Sequence, residues 1–300
     1  MVTTRSIPLS ASELAAAVRS HRPYDASRLD RVLRVDGDHG LVEVQASTPW
    51  KAIAAALRPD DARAARTQTT MTTVGASLAQ NAAGPDGRPA VVHVQSIAVV
   101  GPSGDLRRAN RTTNRDLFAL VAGGQGLFGA LYSVTLDIGS LSRAVNEAAP
   151  LEERSPAHPL RLLVPPERLE SFLAEARDRC ADWRMPLAGV EVRRTLPEAD
   201  SFLCWARRDY AAVVLHFAQP PVLGAAVRAT QLRCELIDAA IALGGSFHVS
   251  CTPEATREQA QACYPQLPQF LAEKRRVDPG EHIVNAWYLH YRRLFSAASC

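Results

Sequence analysis

Three hundred residues, 47% hydrophobic and 22% charged, are enough for two domains of ordinary globular usage, which excludes a fibre or a disordered chain. The formal net charge of +3 comes from 34 basic and 31 acidic residues interleaved along the chain, so no basic stripe points to nucleic acid. The first twenty residues lack an apolar signal core, no apolar run reaches about 18 residues, and the six cysteines show no zinc or redox spacing. These features predict a cytoplasmic protein with reduced thiols, no membrane span and no metal.

In chain order, Ser10-Ala11-Ser12-Glu13 followed by Leu14, Ala17 and Val18 predicts a capped helix that ends near His21, because Pro23 cannot continue it. A turn cluster from Asp36 to Gly40 leads into the alternating strand Leu41 to Ala46. Thr48-Pro49-Trp50 opens a helix from Lys51 to Leu57, and the β-branched run Val91 to Val100 predicts strand, turn at Gly101 to Gly104, and strand. Asn114 opens a helix from Arg115 to Ala122, and Ala130 to Ile138 predicts a strand. The polar, proline-bearing stretch from Ser140 to Pro159 suits a linker. Beyond it, strands at Leu162–Val164, Val190–Thr195, Ala211–Phe217 and Gly245–Ser250 interleave with helices after Pro166 and from Val227 to Leu243, which makes an α+β layer.

Two stretches rich in small residues stand out. Thr72, Thr73, Val74, Gly75, Ala76, Ser77 and on through Asn81 to Gly84 run from hydroxyls through glycine into a helical turn. Little there can fill a core. Such a stretch reads either as an anion cradle, with N–H groups at a helix start facing a phosphate, or as a loop leading into a tightly packed helix. The second stretch, Asp116 to Leu136, contains Gly123-Gly124-Gln125-Gly126-Leu127-Phe128-Gly129. Gly124, Gly126 and Gly129 spell the dinucleotide fingerprint, but that motif needs a strand before and a helix after, and here the order is reversed.

Together the two stretches resemble the flavin-binding domain of the vanillyl-alcohol oxidase / p-cresol methylhydroxylase (PCMH-type) superfamily, with Ala76 in place of the family's second glycine. The resemblance covers roughly residues 8 to 138. The tail, Tyr264-Pro265, Phe270-Leu271, Lys274-Arg275, Asp278-Pro279 and Trp287 to Arg292, resembles the C-terminal pattern of FAD-linked oxidases in the same superfamily.

That resemblance implies an α+β, two-domain PCMH-type fold with a shortened N-terminal part. It comprises an FAD-binding domain at 1–140, an α+β substrate domain at 141–262 and a segment at 263–300 returning to the FAD domain. It implies an FAD-dependent oxidoreductase acting on a C–H bond of an alcohol-type small substrate, with the electron acceptor open. The cofactor contacts it implies are Thr72, Thr73, Val74, Gly75, Ala76, Ser77, Asn81, Gly84, Gly124, Gly126, Phe128 and Gly129.

Catalytic groups are expected on the substrate-domain strands, with Glu191, Arg193 and His248 as candidates and His216 and Cys251 beside them. Glu191 and Arg193, two apart, share a sheet face, as a base and an anion clamp or as a plain salt pair. The family's first Gly-rich loop, which holds the pyrophosphate and which can carry the residue for covalent flavin attachment, is missing. His21 to Asp30, without a glycine, stands in its place, with Arg22 and Arg28 inside it and Arg31 next to it as substitute phosphate partners. Any FAD is therefore expected to be non-covalent and weakly held. The alternative is a flavin-poor pseudoenzyme serving as a scaffold.

Overall fold

The computed structural model describes residues 5–57, 73–84, 86–143, 159–218, 224–252 and 255–296. The chain divides into two compact units, both α+β with antiparallel sheets. The first comprises Met1–Leu151, Glu198–Cys204 and Gln269–Asn285; the second comprises Glu152–Pro197, Trp205–Pro268 and Ala286–Cys300. This division differs from cuts at 140 and 262, because a short segment after Pro197 belongs to the first unit and the last fifteen residues belong to the second.

In the first unit, helix α1 (Ala11–Arg19) starts where the Ser10 hydroxyl accepts the Glu13 N–H, and the Glu13 carboxylate reaches back to the Leu9 N–H at 2.8 Å. It buries Leu14, Ala17 and Val18. The glycine-free segment that follows folds back directly: Tyr24 bridges to Ser6, Asp25 caps a 3-10 turn at Ala26–Arg28, and Leu29 is fully buried. Leu29 and Tyr24 pack with Leu14, Val18, Val100 and Ala130 in one apolar cluster.

Strands β1 (Val32–Asp36) and β2 (Leu41–Gln45) form a hairpin across the predicted turn. Helix α2 (Trp50–Ala56) has Pro49 as its N-cap residue. After α3 (Val74–Gln80), the β-branched run splits into a 3-10 turn at Ala90–His93 and β3 (Val94–Val100). Hydrogen bonds from outside the sheet account for the split. The Val91 N–H goes to the Asn81 side chain, and the Arg111 guanidinium takes the Val91 and Val94 carbonyls. Strand β4 (Leu106–Ala109), helix α4 (Arg115–Val121) and strand β5 (Ala130–Asp137) complete a five-stranded sheet of order β1-β2-β5-β3-β4, with α1 packed on β3 and β5.

A short helix, α5 (Ile138–Arg143), occupies the start of the predicted linker, its Ser140 N–H bonded to the Asp137 carboxylate at 2.7 Å. Residues 144–158 of that linker lie outside the described residues.

The second unit begins with β6 (Leu160–Val164), a 3-10 turn at Pro166–Arg168 and α6 (Leu169–Asp182), followed by β7 (Leu187–Thr195), β8 (Tyr210–Phe217) and α7 (Ala225–Ala242). The strand expected at 245–250 is only β9 (Ser246–Phe247), because the chain turns into a 3-10 helix at Val249–Cys251. Helix α8 (Arg257–Cys263) carries a full capping box from Thr256 and Gln259. Helices α9 (Leu267–Val277) and α10 (Ala286–Ser296) end the described chain. The four-stranded sheet has order β7-β8-β6-β9, and α7 packs on α6, β6 and β9. Along β6, β8 and β7 one face carries Leu160, Leu162, Val213, Leu215, Val190 and Val192, and the other carries Arg161, Val214, Glu191, Ala212 and Arg193.

Candidate functional site

The first small-residue stretch forms α3 as the sequence predicts, but its N–H groups face protein. The Val74 N–H goes to the Thr48 carbonyl at 3.1 Å, Gly75 to the Ala46 carbonyl at 2.7 Å, Ala76 to the Thr73 hydroxyl at 3.2 Å and Ser77 to the Thr73 carbonyl at 3.1 Å. None of these donors is left for a phosphate. Gly75 is small because a Cβ there would stand 2.7 Å from the Ala46 carbonyl oxygen and 3.0 Å from the Ala46 Cβ. Ser77 is fully buried, donating to the Thr73 carbonyl and accepting from the Trp50 indole at 3.1 Å. Of the two readings of this stretch, the tightly packed helix fits these contacts: its small residues let α3 press against the exit of β2. Thr72 lies outside the described residues.

Asn81 ends the helix in the left-handed region, at φ 48°. Its carbonyl oxygen takes the Val91 N–H at 2.9 Å, and its amide donates to Glu198 at 3.2 Å and Ser201 at 3.3 Å. Asn81 is therefore a buried tie between three segments of the first unit. Gly84 closes a turn through its N–H to the Arg88 carbonyl at 2.8 Å.

The second stretch is bound to the far half of the same helix. Gly123 donates to the Leu78 carbonyl at 2.9 Å and Gln125 to the Ala79 carbonyl at 2.8 Å. A Cβ on Gly124 would overlap the Leu120 carbonyl oxygen, and one on Gly129, at φ +139°, would overlap the Val100 carbonyl oxygen. Phe128 is buried, edge-on to Phe270 with ring centres 5.0 Å apart. Gly126 differs from all of these. It is exposed, at φ +72°, with nothing within 4 Å of where a side chain would begin. Its backbone is open to whatever approaches the turn.

Residues 24–110, which include β1, β2, α3 and β3, match the family described as FAD binding domain. That segment is similar to the FAD-binding domains of the PCMH-type superfamily. No curated protein sequence matches it. The matched segment indicates FAD binding and, in general terms, an FAD-dependent oxidoreductase.

The fit of FAD to these residues is uneven. The Gly123–Gly129 turn suits close approach of a ligand at Gly126, whereas the start of α3 does not suit a pyrophosphate, because its donors are engaged. Just after the segment His21 to Asp30, the Arg31 guanidinium donates to the Leu9 carbonyl at 3.1 Å. Arg22 and Arg28 are exposed and carry no ion pair among the described residues. His21, the histidine of that segment, is stacked on His282 with ring centres 3.6 Å apart.

In the second unit, the structure brings Glu191 and Arg193 together and adds His216. One Glu191 oxygen is 3.2 Å from the Arg193 guanidinium, and the other is 3.2 Å from His216 Nε2. All three side chains are part-buried, and His216 Nδ1 is buried without a hydrogen-bond partner. His248 is elsewhere. Its N–H bonds to the Arg161 carbonyl beside β6, and the order β7-β8-β6-β9 puts three strand spacings, about 14 Å, between it and Glu191. Its ring lies against Trp205, with centres 4.5 Å apart. Burial first, and then the Arg161 charge, pull its pKa down to about 3, so the imidazole is neutral at neutral pH. The side chain of Cys251 lies outside the described residues.

Sequence reasoning missed the segment Glu198–Cys204. Glu198 is buried and accepts from Asn81, Ser201 and two backbone N–H groups, while Asp200 pairs with Arg111 at 2.8 Å. No local periodicity marks these residues, because their partners lie about 90 to 120 positions earlier. A second cluster was also unread: His93 lies 2.7 Å from the Ser140 hydroxyl and 3.3 Å from Asp86, all buried in the first unit. No helix in the described residues is long and apolar enough to cross a membrane, and no group of three or more His, Cys, Asp or Glu among them could hold a metal.

Proposed function

We propose that this chain is a cytoplasmic FAD-dependent oxidoreductase that oxidises a C–H bond of a small alcohol-type substrate and holds its flavin without a covalent link. The observation that carries the reading is the match of residues 24–110 to an FAD binding domain. The open Gly126 turn supplies a place for backbone approach to the cofactor. When bound, the flavin supplies the hydride acceptor; the protein's part is placement and proton handling.

For that part the Glu191, Arg193 and His216 cluster is the best-formed group in the second unit. With its Nε2–H given to Glu191, His216 keeps the Nδ1 lone pair as a proton acceptor, and Arg193 holds the carboxylate in place. His248 suits this role less well, since burial and then the Arg161 charge pull its pKa down to about 3, which makes it a weak base at neutral pH. Non-covalent attachment follows from the segment His21 to Asp30: it holds no cysteine, and its one histidine is stacked on another ring. Acid precipitation tests it, with flavin expected in the supernatant and none on the pellet.

A second reading is a flavin-poor relative that serves as a scaffold. The four engaged N–H groups at the start of α3 favour it. The absence of the first Gly-rich loop adds to this, since losing three charge-assisted hydrogen bonds to a pyrophosphate there costs on the order of 5 to 9 kcal/mol if the losses add. Titrating the purified protein with FAD at low and high salt separates the two. Saturable binding that weakens steeply with salt supports the oxidoreductase with Arg22 or Arg28 as phosphate partners. No binding at either salt leaves the scaffold.

A further inference from the structure

We propose that β7 is a dimerisation edge, pairing antiparallel with β7 of a second copy of this chain about a two-fold axis through Val192. The inference does not depend on flavin binding. In the four-stranded sheet, β7 pairs with β8 on one side only, and no strand among the described residues pairs with its other side. At nine residues it is the longest described strand. Its unpaired stretch, Gly189 to Thr195, contains no proline, and Pro186 and Pro197 flank it.

Long, regular edges are templates for further pairing, and proteins that must stay monomeric interrupt them with proline, bulges or a cover. The register shift of β7 is confined to its first residues, Leu187 to Gly189. Val190 and Val192 stand on one face of this edge, each 42% exposed.

The charges on the strand identify the occupant. In an antiparallel pair centred on Val192, each Glu191 falls directly opposite the partner's Arg193, and each Arg193 opposite the partner's Glu191. Directly opposed side chains have Cβ atoms about 5 Å apart, within ion-pair reach, and opposite charges there favour pairing. Because Glu191 also lies beside its own Arg193, the dimer would carry four charges of alternating sign on one face. On the other face Val192 would meet the partner's Val192, and Val190 would lie along the stem of the partner's Arg194. A shift that opposes Glu191 to Glu191 loses this match, so the register is selected as well as the partner. A closed two-fold dimer is also the commonest form of self-association.

Sedimentation velocity over a range of protein concentrations tests the proposal, with circular dichroism and thermal melting to confirm that each variant is folded. The unmodified chain is expected to show a concentration-dependent monomer–dimer equilibrium, and Val192→Pro to be monomeric. Glu191→Arg alone and Arg193→Glu alone each oppose like charges and should weaken the dimer by roughly tenfold or more. The double variant Glu191→Arg/Arg193→Glu restores the alternation and should recover the dimer. A chain that stays monomeric at every concentration, a dimer that persists in folded Val192→Pro, or a double variant no better than the single ones would each overturn the assignment.

Discussion

The two small-residue stretches look alike in sequence and do opposite things. Around Gly75 the missing side chain makes room for the protein's own backbone, and each N–H of the first turn of α3 has a protein acceptor. Around Gly126 the missing side chain leaves open space at the surface. A run of small residues says that something comes close; it does not say whether that is a ligand or another strand. Only the direction of the N–H groups decides, and composition does not encode it.

The contrast can be broken most severely at Gly124, where a Cβ would overlap the Leu120 carbonyl oxygen. Gly124→Val should cost more than about 4 kcal/mol and yield little folded protein, read by expression and urea denaturation. Soluble protein with an unchanged midpoint would contradict the tight turn.

Next comes Asp278, which is buried with Lys274 and also accepts the His282 and Ile283 N–H groups at 3.1 and 2.9 Å. Asp278→Asn removes the buried ion pair between Lys274 and Asp278, and a loss of about 3 to 5 kcal/mol is expected. By contrast, Glu191, a third exposed beside Arg193, should lose less than about 1 kcal/mol as Glu191→Gln. Equal losses at the two sites would remove the distinction between a structural and a surface-accessible carboxylate.

Gly75→Val should cost about 2 to 3 kcal/mol through crowding against Ala46, whereas Gly126→Ala meets no neighbour and should cost only the roughly 1 kcal/mol of a left-handed backbone. Finding the reverse order would mean that the roles of the two stretches have been exchanged.

Smaller per step is the acid response of His248. Its folded pKa of about 3 is below the unfolded value near 6.5, so the unfolded chain binds the extra proton first. Its contribution is complete above about pH 6.5 and is lost as pH falls toward 3, with a limiting slope of about 1.4 kcal/mol per pH unit. His248→Phe should flatten that part of the stability profile; an unchanged slope would mean that the ring is not buried neutral.

Much of this was legible in the chain because it rests on local chemistry. Ser10 and Glu13 fix the start of α1, the Asp36 to Gly40 cluster fixes the first hairpin, and alternation in Val190 to Thr195 puts Glu191 and Arg193 on one face. The return of Glu198–Cys204 to the first unit was not legible, since it depends on Asn81 and Arg111 far upstream. The strand at β9 was over-read because Val249 and its neighbours look extended but turn into a 3-10 helix. The separation of His248 from Glu191 depends on strand order, which no single strand records.

The most direct test is an equilibrium titration of the purified protein with FAD, followed by flavin fluorescence, alongside the Gly126→Val variant. The account predicts saturable, non-covalent binding in the micromolar range or weaker, since the donors of α3 are engaged, and loss of that binding in a Gly126→Val protein that remains folded. No saturable binding by the unmodified chain, or full binding by the variant, would contradict it.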